Sequence, residues 1–267
     1  LLGIEFFQKI IKLQEKHNLD NKQIFNSVQT NGILVNEEWA KFFKENNFRV
    51  GVSLDGHKEL HINNRRLRKG HSSHEETLRG IEILKEFDVA FGILAVVTKQ
   101  SISQAQEIFN FFVSKGIMNI GFLPAVVTNT EGHIVEQISV LPSEFSSFLT
   151  QFFEIWQKSG VHGFIVREFD EAMRGALGIP QKLCTFSNDC KDYFTILPNG
   201  DIYLCDCFPA IDKFHVGSIF EPLENIESSL NYSEFCQKIS ITPAKCKSCD
   251  LFSVCNGGCK YHRYLTQ

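Results

Sequence analysis

The residues best suited to chemistry in this chain are nine cysteines, all of which lie at or after Cys184 in a sequence of 267 residues. Four of them follow the pattern Cys246-x2-Cys249-x5-Cys255-x3-Cys259, whose short spacings let adjacent thiolates reach one metal centre. Clustered thiolates of this kind bind zinc or iron–sulfur clusters. Because nine is an odd number, the cysteines cannot all pair in internal disulfides. We therefore expect a metal- or cluster-binding region, with a disulfide-linked secreted domain as the weaker alternative.

The remaining cysteines include a group that surrounds a predicted β-hairpin: Cys184, Cys190, Cys205 and Cys207. Two apolar stretches flank the Pro-Asn-Gly sequence at 198–200, which is typical of a tight turn. Closing this hairpin should bring Cys190 and Cys205 close together. Cys207 and Cys236 fit no ligand spacing, and we interpret both as small, half-buried side chains.

The composition is that of a folded protein and excludes disordered and collagen-like chains. Apolar residues make up 43% of the chain and charged residues 22%, and the net charge is −4. No basic excess favours nucleic acid or an anionic membrane as a partner. No apolar run approaches the roughly 20 residues that a bilayer-spanning helix needs. We therefore expect a cytoplasmic protein that binds neither nucleic acid nor membrane.

Residues 1–180 alternate between helical and strand patterns, which predicts parallel strands joined by right-handed crossovers. The predicted strands are 24–30, 49–54, 89–98, 119–123 and 164–166. The predicted helix starts are Asn36 as a cap, capping boxes at Ser73/Glu76 and Ser103/Gln106, and Ser143. Polar residues follow the first two strands, at the edge where α/β barrels and open sheets bind ligands.

Seven of the cysteines share their spacing with a known domain. Cys190-x9-Gly200-x4-Cys205, followed by the four-cysteine run, resembles the SPASM domain of radical S-adenosylmethionine (SAM) enzymes. The upstream Cys184 and the dipeptide Cys205-Asp206 are similar to the anaerobic sulfatase-maturating enzymes within that family. The segments Val216–Ile219 and Val254–Cys259 are also similar to that subfamily.

The first part of the chain agrees with this resemblance. Gln29-Thr30-Asn31-Gly32, Val52–Gly56 and His61-x3-Arg65 resemble the middle of the family's partial barrel. The implied fold is α/β: an incomplete partial (β/α)6 barrel at 1–170, a helical bridge at 171–183, and a small cysteine-rich SPASM domain with a β-hairpin at 184–267. The resemblance also implies that Ser53 and Arg65 hold the carboxylate of SAM, with Gln29, Thr30 and Asn31 at the same site. A guanidinium suits that task because it binds a carboxylate through two parallel hydrogen bonds.

Two family motifs are missing from these residues. The Cys-x3-Cys-x2-Cys motif that holds the SAM-cleaving cluster is absent, since no cysteine precedes Cys184, and so is a Gly-Gly-Glu-Pro motif. A further cysteine expected beyond Cys259 is also absent. We therefore interpret the sequence as an internal fragment of the family pattern, about two strands and one helix short upstream. The 267 residues alone are not expected to cleave SAM.

The implied activity is radical-based oxidation of a sulfatase cysteine or serine to formylglycine, with SAM and [4Fe-4S] clusters as cofactors. Cys184, Cys190, Cys205 and Cys259 would ligate one auxiliary cluster. Cys246, Cys249 and Cys255 would ligate a second, whose fourth ligand is unassigned. The implied partners are a sulfatase-type polypeptide and an electron donor protein.

The reaction also needs a base, and Asp206 is our candidate because it follows a cluster ligand. The alternative is that Asp206 only caps backbone amides at the end of the hairpin. Two alternatives to the activity remain open. The chain could be another SPASM-type maturase of a ribosomal peptide, or a non-catalytic remnant that binds clusters or zinc.

Overall fold

The structure, a computed structural model, describes residues 2–65, 72–129, 133–188, 190, 193–207, 214–239 and 241–265. The chain forms two compact units: the first comprises Leu1–Asn129 and Ile134–Arg167, and the second Thr130–His133 and Glu168–Gln267.

Unit 1 is built on five parallel strands that alternate with helices, as the sequence predicts. Its helices and strands are, in chain order, α1 (Ile4–His17), β1 (Ser27–Thr30), α2 (Glu37–Glu45), β2 (Arg49–Ser53), α3 (Lys58–Asn64), α4 (His74–Glu86), β3 (Phe91–Val97), α5 (Ala105–Ser114), β4 (Asn119–Pro124), α6 (Pro142–Ser159) and β5 (Ile165–Val166). The strands lie side by side in sequence order. The predicted parallel α/β architecture is therefore confirmed.

The core of unit 1 is rich in phenylalanine. The fully buried phenylalanines are Phe43, Phe112, Phe122, Phe148 and Phe152. Several meet edge to face, such as Phe122 and Phe148, whose ring centroids lie 5.0 Å apart. Edge-to-face pairs are a favoured aromatic arrangement and add to the stabilisation from burial. This packing supports the sheet, whose carboxyl edge is where parallel α/β sheets bind ligands.

The predicted helix starts agree with the structure to within one residue, and the Asn36 cap is confirmed by a 2.9 Å hydrogen bond from the amide of Trp39. Helix α6 begins at Pro142 rather than at the predicted Ser143. Ser73 precedes α4 but makes no capping bond there, because its hydroxyl is bound to groups outside that helix. The Ser103/Gln106 box is wrong by one residue, since Gln104 is the residue before α5. Strand β1 starts at Ser27 rather than residue 24.

Unit 2 contains a small antiparallel sheet surrounded by short helices. Its helices and strands are α7 (Arg167–Ala176, whose first residue belongs to unit 1), α8 (Cys184–Ser187), β6 (Thr195–Ile196), β7 (Asp201–Tyr203), β8 (His215–Ser218), α9 (Leu223–Glu227), α10 (Leu230–Glu234), a π-helical turn (Phe235–Ile239), α11 (Ala244–Lys247), α12 (Phe252–Cys255) and α13 (Lys260–Leu265). Strands β6 and β7 form the predicted hairpin, and Gly200 adopts a φ of +92° in its turn. Glycine tolerates that left-handed conformation because it lacks a Cβ.

Candidate functional site

In unit 1, two of the predicted SAM-binding residues meet at the carboxyl end of the sheet. The side-chain amide of Gln29 donates a 3.0 Å hydrogen bond to the Ser53 hydroxyl on the neighbouring strand. Gln29 pairs with Gly51 across the β1–β2 ladder, and a Cβ at Gly51 would collide with the Gln29 carboxamide. The absence of a side chain at position 51 thus leaves the space in which Gln29 reaches Ser53. The pair presents polar groups that can bind a polar ligand.

The residues after β1 form a loop that is held by α4. The Thr30 hydroxyl is buried and accepts a 3.2 Å hydrogen bond from the Gly32 amide. The carbonyl of Asn31 accepts a 2.8 Å hydrogen bond from Thr77 on α4. Thr30 therefore shapes this loop from inside, while Asn31 is the exposed residue of the pair.

The structure places the Arg65 guanidinium on a carboxylate, but the carboxylate belongs to the protein. Arg65 donates from Nε to Asp55 Oδ2 at 2.9 Å and from Nη2 to Asp55 Oδ1 at 3.1 Å. Asp55 is only 2% exposed and also accepts a 2.9 Å hydrogen bond from the amide of Val96 on β3. Arg65 thus holds Asp55, two residues beyond the end of β2. Asp55 was not among the predicted site residues, although an acid directly after the predicted strand 49–54 and ten residues before an arginine is a usable signal.

A buried histidine supports the same region. His61 is fully buried, and its Nε2 lies 2.9 Å from the Ser73 hydroxyl, which in turn donates to the Arg65 carbonyl at 3.2 Å. Burial lowers the pKa of His61 to about 4, so the imidazole is neutral at pH 7. A neutral hydrogen-bonded chain therefore joins α3, the Arg65 segment and the start of α4.

In unit 2, four of the seven candidate ligand cysteines influence one another electrostatically: Cys184, Cys190, Cys205 and Cys259. Burial raises the pKa of the Cys184 thiol, and the charges of Cys259 and Cys205 raise it further. Burial also raises the pKa of Cys190 to about 11, although the nearby Lys260 opposes this. Such thiols are costly to ionise by themselves, and a bound cation supplies the missing stabilisation. This set of soft, grouped donors fits an iron–sulfur cluster.

Asp206 lies between two sulfur atoms. Oδ1 of Asp206 is 3.6 Å from the sulfur atoms of both Cys205 and Cys207, and the Cys207 amide donates to the Cys205 sulfur at 3.5 Å. Cys207 is exposed rather than half-buried as expected, whereas Cys236 is half-buried as predicted. Cys236 packs against the unit 2 core. Asp206 is thus held beside a candidate cluster ligand.

The other three candidate ligands lie on short helical turns. Cys246 belongs to α11, and the Cys249 amide closes the following turn by donating to the Cys246 carbonyl at 3.2 Å. Cys255 ends α12, and the next three residues, 256–258, have φ values of +47°, +86° and +73°. Two glycines in this left-handed run allow the tight turn that the sequence predicts. Among the described residues, no helix is long and apolar enough to cross a bilayer.

The sequence matches two protein families in the regions just described. Residues 1–112 match the Radical SAM superfamily, and residues 184–250 match SPASM, an iron–sulfur cluster-binding domain. The second match contains five of the seven candidate ligand cysteines, and Cys255 and Cys259 follow it.

The chain is also similar to curated proteins along nearly its whole length. It is 34% identical to the cysteine-type anaerobic sulfatase-maturating enzyme of Clostridium novyi (strain NT), over 98% of this chain and 71% of that protein. It is 31% identical to the serine-type anaerobic sulfatase-maturating enzyme of Bacteroides thetaiotaomicron, over 98% of this chain and 66% of that protein. Among solved structures, native anSMEcpe with bound AdoMet and Cp18Cys peptide superimposes with a TM-score of 0.88 at 33% identity, over 98% of this chain and 73% of that one.

Proposed function

The chain belongs to the anaerobic sulfatase-maturating enzymes, radical SAM enzymes with a SPASM domain, and from this premise we propose that it oxidises a cysteine or serine of a sulfatase polypeptide to formylglycine. The observation that carries this proposal is a set of four buried or half-buried cysteine thiols that influence one another electrostatically, with Asp206 Oδ1 3.6 Å from Cys205 Sγ. That grouping combines the two things that the oxidation requires, an acceptor of electrons and an acceptor of a proton. A relative with the same fold is known with a bound peptide.

The oxidation of a cysteine substrate removes one hydrogen atom from Cβ, one proton from the thiol and one further electron. Water then replaces sulfur at the resulting carbon, which yields the aldehyde and releases hydrogen sulfide. When bound, SAM supplies the hydrogen-abstracting chemistry and the iron–sulfur clusters accept the remaining electron. Asp206 takes the proton, because its Oδ1 lies 3.6 Å from Cys205 Sγ, beside the proposed cluster. A general base must lie within reach of the proton that it accepts.

The positions of this chain's own side chains support the proposed SAM site. Gln29 and Ser53, which share a hydrogen bond, bind polar groups of SAM at the sheet edge. Asn31 contributes to the same edge, and Thr30 shapes its loop. Arg65 acts there through Asp55, which takes both of the guanidinium contacts described above, and its direct contact with the SAM carboxylate stays a prediction.

The cluster ligands are proposed in two sets. The first auxiliary cluster is held by Cys184, Cys190, Cys205 and Cys259, and the second by Cys246, Cys249 and Cys255 with a fourth ligand still to be identified. An electron donor protein completes the set of partners, and the cytoplasm is the proposed compartment because thiolate clusters persist under reducing conditions. The proposed functional domains keep the boundaries 1–170 and 184–267, joined by 171–183.

The experiment that tests this function uses these residues in a full-length context that supplies the Cys-x3-Cys-x2-Cys motif. The reconstituted protein, SAM and a reductant are incubated with sulfatase peptides that carry cysteine or serine at the target position. We expect an aldehyde product, detected by mass spectrometry and by trapping with a hydrazine reagent. Modification of a different ribosomal peptide without any aldehyde would support another SPASM-type maturase. Stable metal binding without turnover of SAM would support the non-catalytic alternative.

A further inference from the structure

The loops that carry Cys184 and Cys259 are joined by side chains that belong to neither cluster nor substrate site. The side-chain amide nitrogen of Asn256 donates to Gln181 Oε1 at 2.7 Å and to the Phe186 carbonyl at 2.9 Å. Cys184 lies between those two acceptors in the sequence, and Asn256 lies three residues before Cys259. Asn256 therefore links the segment around Cys184 to the turn that leads to Cys259.

Helix α7 supports the same two segments. Glu171 of α7 is 4% exposed, and its Oε2 accepts hydrogen bonds from the amides of Lys182 at 2.8 Å and Leu183 at 3.2 Å. These two amides directly precede Cys184, and bonds to a carboxylate are stronger than neutral ones. On the other side, the Gln181 amide donates to the Val254 carbonyl, next to Cys255.

The backbone of α7 also lies directly against α12. A Cβ at Gly175 would come within 2.8 Å of the Ser253 carbonyl oxygen and of Val254 Cα. Further along, Arg263 donates from Nη1 to the carbonyls of Gly257 at 2.6 Å and Gly258 at 3.1 Å. Both ends of the 255–259 turn are thus held by polar contacts.

We propose that Glu171, Gln181 and Asn256 are positioning residues that hold Cys184 and Cys259 ready for the first auxiliary cluster. This inference rests on the proposed function, because it takes the assignment of those two cysteines from it. The physical reason is that groups behind metal ligands fix the ligands' orientation and commonly change metal retention 10- to 100-fold. The three side chains act on the segments that carry the cysteines.

The test uses the full chain reconstituted anaerobically with ferrous iron and sulfide, and measures how fast a ferrous chelator removes the iron. Glu171→Ala and Asn256→Gly should each lose iron from one cluster about 10-fold faster than the unaltered protein. Glu171→Gln keeps an oxygen that can accept the two amides, so we expect it to restore most of the retention. Asn256→Gly preserves the left-handed backbone and removes only the side-chain bonds.

The matched control is Asn231→Ala. Asn231 also donates from its side-chain amide to a backbone carbonyl, that of His215 at 2.6 Å. Neither of these two residues belongs to the segments around Cys184 and Cys259. Asn231→Ala should lose a similar hydrogen bond without changing iron release. Circular dichroism of each apo variant checks that the fold is retained.

The outcomes separate this inference from the proposed function. If Glu171→Ala and Asn256→Gly fold normally and release iron at the control rate, the positioning role is wrong even if formylglycine is made. If Glu171→Ala fails to fold, Asn256→Gly and Glu171→Gln still decide the matter. Iron retention that depends on these residues, in a protein that makes no formylglycine, would leave the positioning role standing and reject the function. A chain that takes up no iron would overturn both.

Discussion

At the scale of single residues, Asp206 is the side chain on which the proposed chemistry depends most. It combines an exposed carboxylate with contacts to two sulfur atoms. Asp206→Asn preserves this shape and removes the charge that accepts a proton. In the full-length context that supplies the Cys-x3-Cys-x2-Cys motif, we expect normal iron content and normal SAM cleavage, with formylglycine formation reduced roughly 100-fold or more.

The comparison for this prediction is Cys205→Ala, which removes a ligand and should lower iron content together with product. Measuring iron and product side by side distinguishes a lost base from a lost cluster. Wild-type product from Asp206→Asn would mean that Asp206 is only a hairpin-end cap.

Cys207 is the cysteine whose position differs most from the sequence-based interpretation. It is exposed and lies beside Asp206 and Cys205, yet it belongs to no ligand spacing. If the seven assigned cysteines are the ligands, Cys207→Ala should keep the full iron content and the same cluster absorption spectrum. A clear loss of iron on reconstitution would instead show that Cys207 is a ligand and that the assignment of the first cluster must change.

Candidate cysteine ligands can be proposed from the sequence because their spacings carry information. The side chains behind them cannot. Asn256 and Gln181 lie 75 residues apart in the chain, and nothing local to either one indicates that they meet. The same holds for the contact of Arg65 with Asp55, which depends on how α3 returns to the end of β2. The contact of Arg65 with the SAM carboxylate stays a prediction.

At the scale of helices and strands, a predicted helix cap was confirmed where its hydrogen bond is made within one helical turn. The Asn36 cap needs only an amide three residues away. The Ser73 box failed because that hydroxyl has a better partner in His61, on a different helix. Competition of this kind between local and tertiary hydrogen bonds is not visible in a single sequence.

The contact of α4 with the loop after β1 provides a test at this scale. Gly80 faces the Gly32 carbonyl oxygen so closely that a Cβ would collide with it. Gly80→Ala should therefore destabilise unit 1 by about 1–3 kcal/mol, despite the better helix propensity of alanine. Displacing the Asn31–Gly32 loop should also weaken SAM binding, measured by equilibrium dialysis.

Gly3→Ala is the control for this substitution, because an added Cβ there meets nothing within 4 Å. A Gly80→Ala protein with an unchanged melting temperature and unchanged SAM affinity would show that α4 does not hold the loop.

The His61 link between α3 and α4 predicts a pH dependence of stability. The folded-state pKa of His61 is about 4, below its ordinary value of 6.5. Its contribution to stability is therefore fully present above pH 6.5 and is lost as the pH falls through 6.5 towards 4. The loss should be on the order of 3 kcal/mol.

Urea unfolding of the apo protein between pH 7 and pH 4 measures this loss without interference from acid-labile clusters. His61→Gln keeps a side chain that can bond to Ser73 but does not titrate, so its unfolding free energy should fall less steeply with pH. Parallel curves for the two proteins would contradict the assignment. Burial also lowers the pKa of His74, which accounts for part of any slope that remains in the variant.

At the scale of the whole molecule, the two compact units depend on different kinds of stabilisation. Unit 1 has a five-stranded sheet and a large phenylalanine-rich core. The buried core described for unit 2 is a small group around β7 and β8, including Tyr203, Phe214 and Phe235. The candidate cluster ligands are concentrated in unit 2, so metal binding there contributes to folding as well as to chemistry.

Removal of metal should therefore loosen unit 2 selectively. We expect the reconstituted protein to absorb broadly near about 400 nm, as thiolate-ligated iron–sulfur centres do, and to resist limited proteolysis throughout. After chelation, cleavage sites should open within 168–265, while fragments containing the unit 1 sheet persist. Calorimetry should show the transition of unit 2 moving to lower temperature and that of unit 1 staying in place. Equal proteolysis of both units would contradict the selective dependence of unit 2 on metal. Stoichiometric zinc bound in preference to iron would contradict the assignment of its cysteines as iron–sulfur ligands.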